Sequence, residues 1–122
     1  MTAEDAVHLE RLTQALRVMQ GLTLFERQYL FDIGVVTLER ECGTVHCIAG
    51  WCGTDPWFQA QGFVHHGSLM TQTIEYYFGT AKPFYWHYYP GVQEARDVTY
   101  DMAVAALKSE IARLEPQQGQ LL

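Results

Sequence analysis

Leu9, Leu12, Leu16 and Met19 recur at spacings of three and four near the start of the chain. That period places them on one face of a helix. Glu4 and Asp5 stand in or before its first turn, where the helix dipole favours acids, and Gly21 is a suitable terminator. Thr23-Leu-Phe-Glu26 has the spacing of a capping box, so a second helix is predicted to start there and run through Tyr29 or Phe31. The next segment, Phe31-Asp-Ile-Gly-Val-Val-Thr, gives two signals. Its β-branched residues favour a short strand, and Gly34 favours a break.

The far end of the chain carries the clearest helical stripe, formed by Tyr100, Ala103, Val104, Leu107, Ile111 and Leu114. Thr99 can cap it, Asp101 lies in its first turn, and Pro116 is predicted to stop it. Residues 116–122 then form a frayed tail. Between these ends the pattern predicts short helices joined by turns. Thr44 can cap a helix over Val45 to Cys52, with Val45, Ile48, Ala49 and Cys52 inward. Asp55-Pro56 marks another start and Gly62 a stop. Phe63 to His66, closed by Gly67, is short enough for a strand in a small hairpin. Ser68 to Phe78 reads as helix ending at Gly79. Thr80 can cap a further turn through Phe84 and Tyr85, before Pro90-Gly91 breaks the chain. The predicted fold is mainly α, a compact bundle of short helices around a central Cys-Gly-Thr helix with one short β-hairpin at most. The 122 residues make one domain.

Charge sharpens this picture. The chain has 14 acids against 8 bases, a formal net charge of −6. Nonspecific binding to a phosphate backbone depends on Lys and Arg, so direct nucleic-acid binding is not expected. The charges are uneven. From Cys42 to Gln93 only Asp55, Glu75 and Lys82 are ionised, while that stretch holds all three Trp and His46, His65, His66 and His87. The longest stretch without Asp, Glu, Lys or Arg, Pro56 to Ile74, contains Gln, His, Gly and Ser, so no membrane span is predicted. The acidic opening residues do not read as a signal peptide. The odd number of cysteines, Cys42, Cys47 and Cys52, bunched in one short stretch, is unlike a secreted disulfide framework. The expected setting is a reducing cytoplasm.

One block has a distinctive pattern. Phe31-Asp-Ile-Gly is followed by Cys42-Gly-Thr-Val-His-Cys-Ile-Ala-Gly-Trp51. It resembles small proteins of bacteria, phages and plasmids that carry a Phe-Asp-Met-Gly-like segment and then Cys-Gly-Thr-x-x-Cys-x-Ala-Gly-Trp or -His. The likeness spans residues 28–114, and only the Cys-Gly-Thr block is specific. It implies a fold and a phage or mobile-element setting, and it implies no activity. The structural motif is Cys42, Gly43, Thr44, Cys47, Gly50 and Trp51. His46 and Cys52 depart from the pattern, which has small residues there.

These residue types suit two chemistries. Cys42, His46, Cys47 and Cys52 are soft ligands, as zinc requires. No Cys-x-x-Cys pair exists, however, and on a helix Cys47 and Cys52 point about 140° apart at 100° per residue. No metal and no cofactor are expected. A nucleophilic Cys47 in a first helical turn, with His46 or His65 as base, is the enzymatic alternative. The competing reading is that Cys47 fills a small apolar site.

The aromatic block is the most unusual feature. Of the fourteen residues from Tyr76 to Tyr89, eight are Phe, Trp or Tyr. Consecutive residues of a regular element cannot all face one core. One reading takes Tyr76, Phe78, Phe84 and Trp86 as core. The other makes the aromatic, His-rich centre a contact surface, with Trp57, His65, His66, Tyr85, Trp86, His87, Tyr88 and Tyr89 as binding residues. The leading expectation is a noncatalytic interaction module with a protein partner, itself forming a homodimer through Tyr85, Trp86, Tyr88 and Tyr89. The alternative is a small cysteine- or metal-dependent enzyme.

Overall fold

The computed structural model describes residues 2–33, 38–40, 43–45, 47–63 and 71–119; side chains are described in these ranges except at 38–45, 71–73 and 116–119. The chain is mainly α. Helix α1 spans Ala3–Gln20, α2 Leu24–Tyr29, α3 Ile48–Gly53, α4 Pro56–Ala60, α5 Thr71–Phe78 and α6 Tyr100–Gly119. Short 3-10 turns at Trp86–Tyr88 and Ala95–Asp97 lie between α5 and α6. Strands β1, Leu38–Arg40, and β2, Gly43–Val45, pair antiparallel with Leu38 opposite Val45. The second strand of the hairpin therefore takes in Gly43 and Thr44 of the Cys-Gly-Thr motif. The hairpin strand predicted at Phe63 to His66 lies largely outside the described residues.

Local cap chemistry explains most helix starts. The Thr2 hydroxyl accepts the Asp5 N–H ahead of α1. At α2 the capping box is complete: Glu26 N–H donates to Thr23 Oγ1 at 3.1 Å, and Thr23 N–H donates to Glu26 Oε1 at 2.7 Å. Asp55 caps α4 through the Phe58 N–H, with Pro56 in the first turn. Thr99 accepts from Met102 N–H at the start of α6.

Two boundaries differ from the sequence pattern. Thr44 does not cap a helix. It lies in β2 opposite Glu39, and the helix begins four residues later with Cys47 as its N-cap. Strand pairing with the preceding segment is a nonlocal gain that a local cap signal cannot report. Pro116 does not end α6, which continues to Gly119. Proline removes one N–H, the partner of the Ala112 carbonyl, and Ala112 lies on the exposed side where water can take that bond.

The two long helices, α1 and α6, make the most extensive packing contact, and α3 and α5 both pack on α1. Leu12, Ala15 and Met19 of α1 meet Ala103, Leu107, Ile111 and Leu114 of α6 in one buried cluster. All six residues of α3 are buried, Ile48, Ala49, Trp51 and Cys52 within this cluster, so the central helix is apolar all round. Phe58, Phe63, Phe78 and Phe84 complete the cluster as a chain of rings. Phe78 stacks on Phe84 at 4.4 Å, and Phe58 meets Phe78 edge-on at 6.0 Å. A smaller cluster of Ile33, Tyr89 and Val98 underlies the loop before α6.

The carbonyls at the end of α5 are held from α1. Arg11 Nη1 donates to the Tyr77 carbonyl at 2.8 Å, and its guanidinium lies 3.9 Å from the Tyr77 ring centroid. His8 Nε2 lies 3.2 Å from the Tyr76 carbonyl. A carbonyl only accepts, so that nitrogen carries the proton. A cation at this end also complements the helix dipole. Gly79 turns the chain away with φ +78°, close against the His8 ring.

Candidate functional site

The aromatic block divides between core and surface. Phe78 and Phe84 are buried. Tyr89, expected at a binding surface and a dimer contact, is also buried, and its hydroxyl donates to the Pro83 carbonyl at 2.6 Å. Burial pushes its phenol well above the ordinary range. A ring with its polar tip already satisfied inside the fold has nothing to offer a partner. Tyr85 and Trp86 are half-buried, Tyr85 against the main cluster and Trp86 against the smaller one. His87 is exposed with its ring stacked 4.0 Å from Trp86, and Tyr88 is exposed. Tyr76, read as core in one account of the block, is 79% exposed. Trp57 is half-buried and meets Phe58 edge-on at 4.9 Å. His65 and His66 lie outside the described residues. Among the described residues of the expected surface, His87 and Tyr88 are exposed, Tyr85 and Trp86 flank them half-buried, and Trp57 makes a separate contact.

The described residues of the cysteine motif lie in α3, where they are buried, or in β2. Cys47 is buried, and its Sγ accepts the Gly50 N–H at 3.4 Å as the cap of α3. Burial pushes its thiol up, against the lowering effect of the Gly50 N–H. Cys52 is fully buried, and burial first, then the neighbouring Cys47, pushes its thiol up further. A nucleophilic thiol requires the opposite shift. Gly50 and Trp51 are buried parts of α3, and Gly43 and Thr44 belong to β2. Cys42 and His46 lie outside the described residues, as does His65, so neither base named for Cys47 is placed. Among the described residues, no three His, Cys, Asp or Glu side chains converge as a metal site would need.

Among the described residues, three of the six exposed large hydrophobic side chains lie elsewhere, on α2. Leu24 is 79%, Phe25 47% and Tyr29 52% exposed, and no residue of this helix is buried. Phe25 and Tyr29 stand one helical turn apart with ring centroids 5.1 Å from each other. The helix is pinned from below rather than by its apolar face. Arg27 Nε donates to the Leu22 carbonyl and Nη2 to the Gln20 carbonyl, and the guanidinium sits 4.6 Å from the Tyr100 ring. The Tyr100 hydroxyl in turn donates to the Met19 carbonyl at 2.8 Å. Beside α2 runs an open groove of about 560 Å³ between this helix and the start of α6. Leu24, Phe31 and Val98 give it apolar walls, and Arg27 and Arg96 border it with Asp101 as the one carboxylate of its lining. The Arg96–Glu94 pair at 2.6 Å is solvent-exposed, so it holds Arg96 weakly.

Sequence reasoning singled out none of these α2 residues. The available signal was a six-residue helix carrying three large apolar side chains beside a complete capping box. The box fixes the helix without burial, which frees the apolar face. Among the described residues no helix is long and apolar enough to cross a membrane. No protein-family model, curated protein or solved structure matches the chain.

Proposed function

We propose that this chain is a noncatalytic interaction module whose contact surface is the exposed face of α2 and the adjoining groove. The observation that carries the reading is the set Leu24, Phe25 and Tyr29, three large apolar side chains left open on a helix that buries nothing. A monomer seldom leaves three large apolar side chains of one short helix uncovered without a use for them. The occupant is a segment of a protein partner with apolar side chains flanked by carboxylates. Its apolar groups would meet Leu24, Phe31 and Val98, and its carboxylates would meet Arg27 and Arg96. Arg27 and Arg96 are the two cations of the lining and Asp101 its one carboxylate, with Glu94 beside it paired to Arg96.

The setting is proposed as the cytoplasm of a bacterial cell, with the chain as a phage- or mobile-element-type accessory protein, on the strength of the Cys-Gly-Thr resemblance. The acidic balance supports a protein partner over direct nucleic-acid contact. The buried, protonated thiols of Cys47 and Cys52 disfavour cysteine catalysis.

The test compares the wild type with the Leu24→Ser/Tyr29→Ser variant as baits in host-cell extract, with light scattering on each bait. Both baits fold equally, because the replaced side chains are exposed. The reading requires one protein held by the wild type, lost with the variant, and released from the wild type by added salt as well. Equal capture by both baits refutes it. A wild-type dimer that the variant converts to monomer makes a second copy the occupant and overturns the acidic partner.

A further inference from the structure

Helix α2 is a short span between two buried anchors. Leu22 before it and Leu30 after it both sit in the main core cluster, at 8% and 6% exposure, while no residue from Leu24 to Tyr29 is buried. A helix this short does not hold itself in water. Two anchor points fix where the span lies, but they leave open its rotation about the line between them. A third contact, off that line, has to choose which face looks outward.

Arg27 supplies that contact. Among the described residues, the side-chain hydrogen bonds that α2 makes outside its capping box all belong to this residue. Its Nε donates to the Leu22 carbonyl at 2.9 Å and its Nη2 to the Gln20 carbonyl at 2.8 Å. The guanidinium also lies 4.6 Å from the Tyr100 ring. That ring is itself fixed, because its hydroxyl donates to the Met19 carbonyl at 2.8 Å and Phe31 meets it edge-on at 6.4 Å. One side chain thus ties α2 to the end of α1 and to the first residue of α6. The carbonyl end of α1 also favours a cation there. Lysine could not replace it fully, since an ammonium is a point donor and a planar guanidinium reaches two carbonyls while lying on a ring. Two of the five guanidinium N–H groups are used in this way, which leaves three for an occupant of the groove.

We propose that Arg27, seated on Tyr100, is the positioning residue of the contact face and sets the rotation of α2 that turns Leu24, Phe25 and Tyr29 outward. The proposal rests on the reading of α2 as the contact surface, but the orientation can be measured without a partner. Without Arg27 the span is free to turn, and burial against the apolar walls of the neighbouring groove draws these side chains inward.

The test is NMR relaxation and relaxation dispersion of the backbone amides in the full chain, for the wild type, Arg27→Lys and Arg27→Ala, with the same proteins as baits in host-cell extract. In the wild type the α2 amides have order parameters of about 0.85, like those of α1 and α6. In Arg27→Ala they fall below about 0.6 or gain microsecond-to-millisecond exchange, while α1 and α6 stay rigid and Arg27→Lys lies between. Unchanged α2 amides in Arg27→Ala overturn the proposal. Equal loosening of α1 and α6 overturns it too, because Arg27 would then serve general stability. Capture that depends on Leu24 and Tyr29 falls about tenfold in Arg27→Ala, as a smaller competent fraction requires. Capture at the wild-type level by a loosened Arg27→Ala shows that the contact needs no fixed face and overturns the positioning role. A wild-type bait that holds nothing overturns the contact reading instead, and the relaxation data still decide the orientation.

Discussion

Replacing Gly79 with alanine tests the joint between α1 and α5 at its tightest point. Two costs are built into the structure. The residue has φ +78°, where an L side chain costs about 1–2 kcal/mol. A Cβ placed there would also lie 2.4 Å from His8 Nδ1 and 2.7 Å from its Cγ. No carbon fits at those distances, so the imidazole must rotate away. It then gives up its hydrogen bond to the Tyr76 carbonyl, worth about 0.5–1.5 kcal/mol net. Gly79→Ala should therefore lose about 1.5–3.5 kcal/mol in urea unfolding. The two costs separate in a double-mutant cycle with His8→Ala. In the His8→Ala background the ring is gone, and Gly79→Ala should cost only the backbone term of about 1–2 kcal/mol. An identical cost in both backgrounds would show that His8 and Gly79 do not touch. A loss below about 0.5 kcal/mol would refute the left-handed turn as well.

Three further outcomes follow from named contacts. Tyr89→Phe should destabilise by about 1–2 kcal/mol, since it strands the buried Pro83 carbonyl, and should leave any partner capture unchanged; a stability-neutral change would place that hydroxyl in water. Thr23→Ala should cost about 1 kcal/mol through the lost capping box and Thr23→Ser much less, whereas Thr44→Ala should show no such Ser rescue because Thr44 lies in β2 and the N-cap of α3 is Cys47. Stability should fall as pH rises above about 9, because the folded state keeps protons on Cys47 and Cys52 that the unfolded chain releases. The same sign holds for Tyr89, Tyr77 and Tyr100 above pH 10, where burial raises each phenol. Urea midpoints at pH 7, 9 and 10 check this, and a flat profile would place the thiols in solvent.

Local chemistry was legible in the sequence, and tertiary choices were not. Thr23, Asp55 and Thr99 were readable as helix starts because a cap and its N–H partner lie within three residues. The α1 and α6 stripes were readable because each side of one pair of long helices buries the other. Thr44 misled because its neighbours in sequence fit a helix start while its partner in space, Glu39, lies across a hairpin. The rings between Tyr76 and Tyr89 were countable but not sortable. Tyr76 and Tyr77 are adjacent, yet Tyr77 packs beneath Arg11 and Tyr76 faces water. Tyr89 is internal because the Pro83 carbonyl folds back to meet its hydroxyl, a contact that no periodicity encodes. The openness of α2 was equally invisible, since a stripe shows which side chains share a face and not whether another element covers it.

The proposal that α2 carries the contact is most directly tested by photo-crosslinking in the native host cell. A benzophenone amino acid is placed at Phe25 in one protein and at Tyr88 in another, both exposed positions that tolerate the larger ring. The proposal predicts a discrete heterologous adduct from position 25 that is abolished by Leu24→Ser, with none from position 88. An adduct from position 88 alone would return the contact surface to the aromatic block, and no adduct from position 25 would contradict the α2 reading.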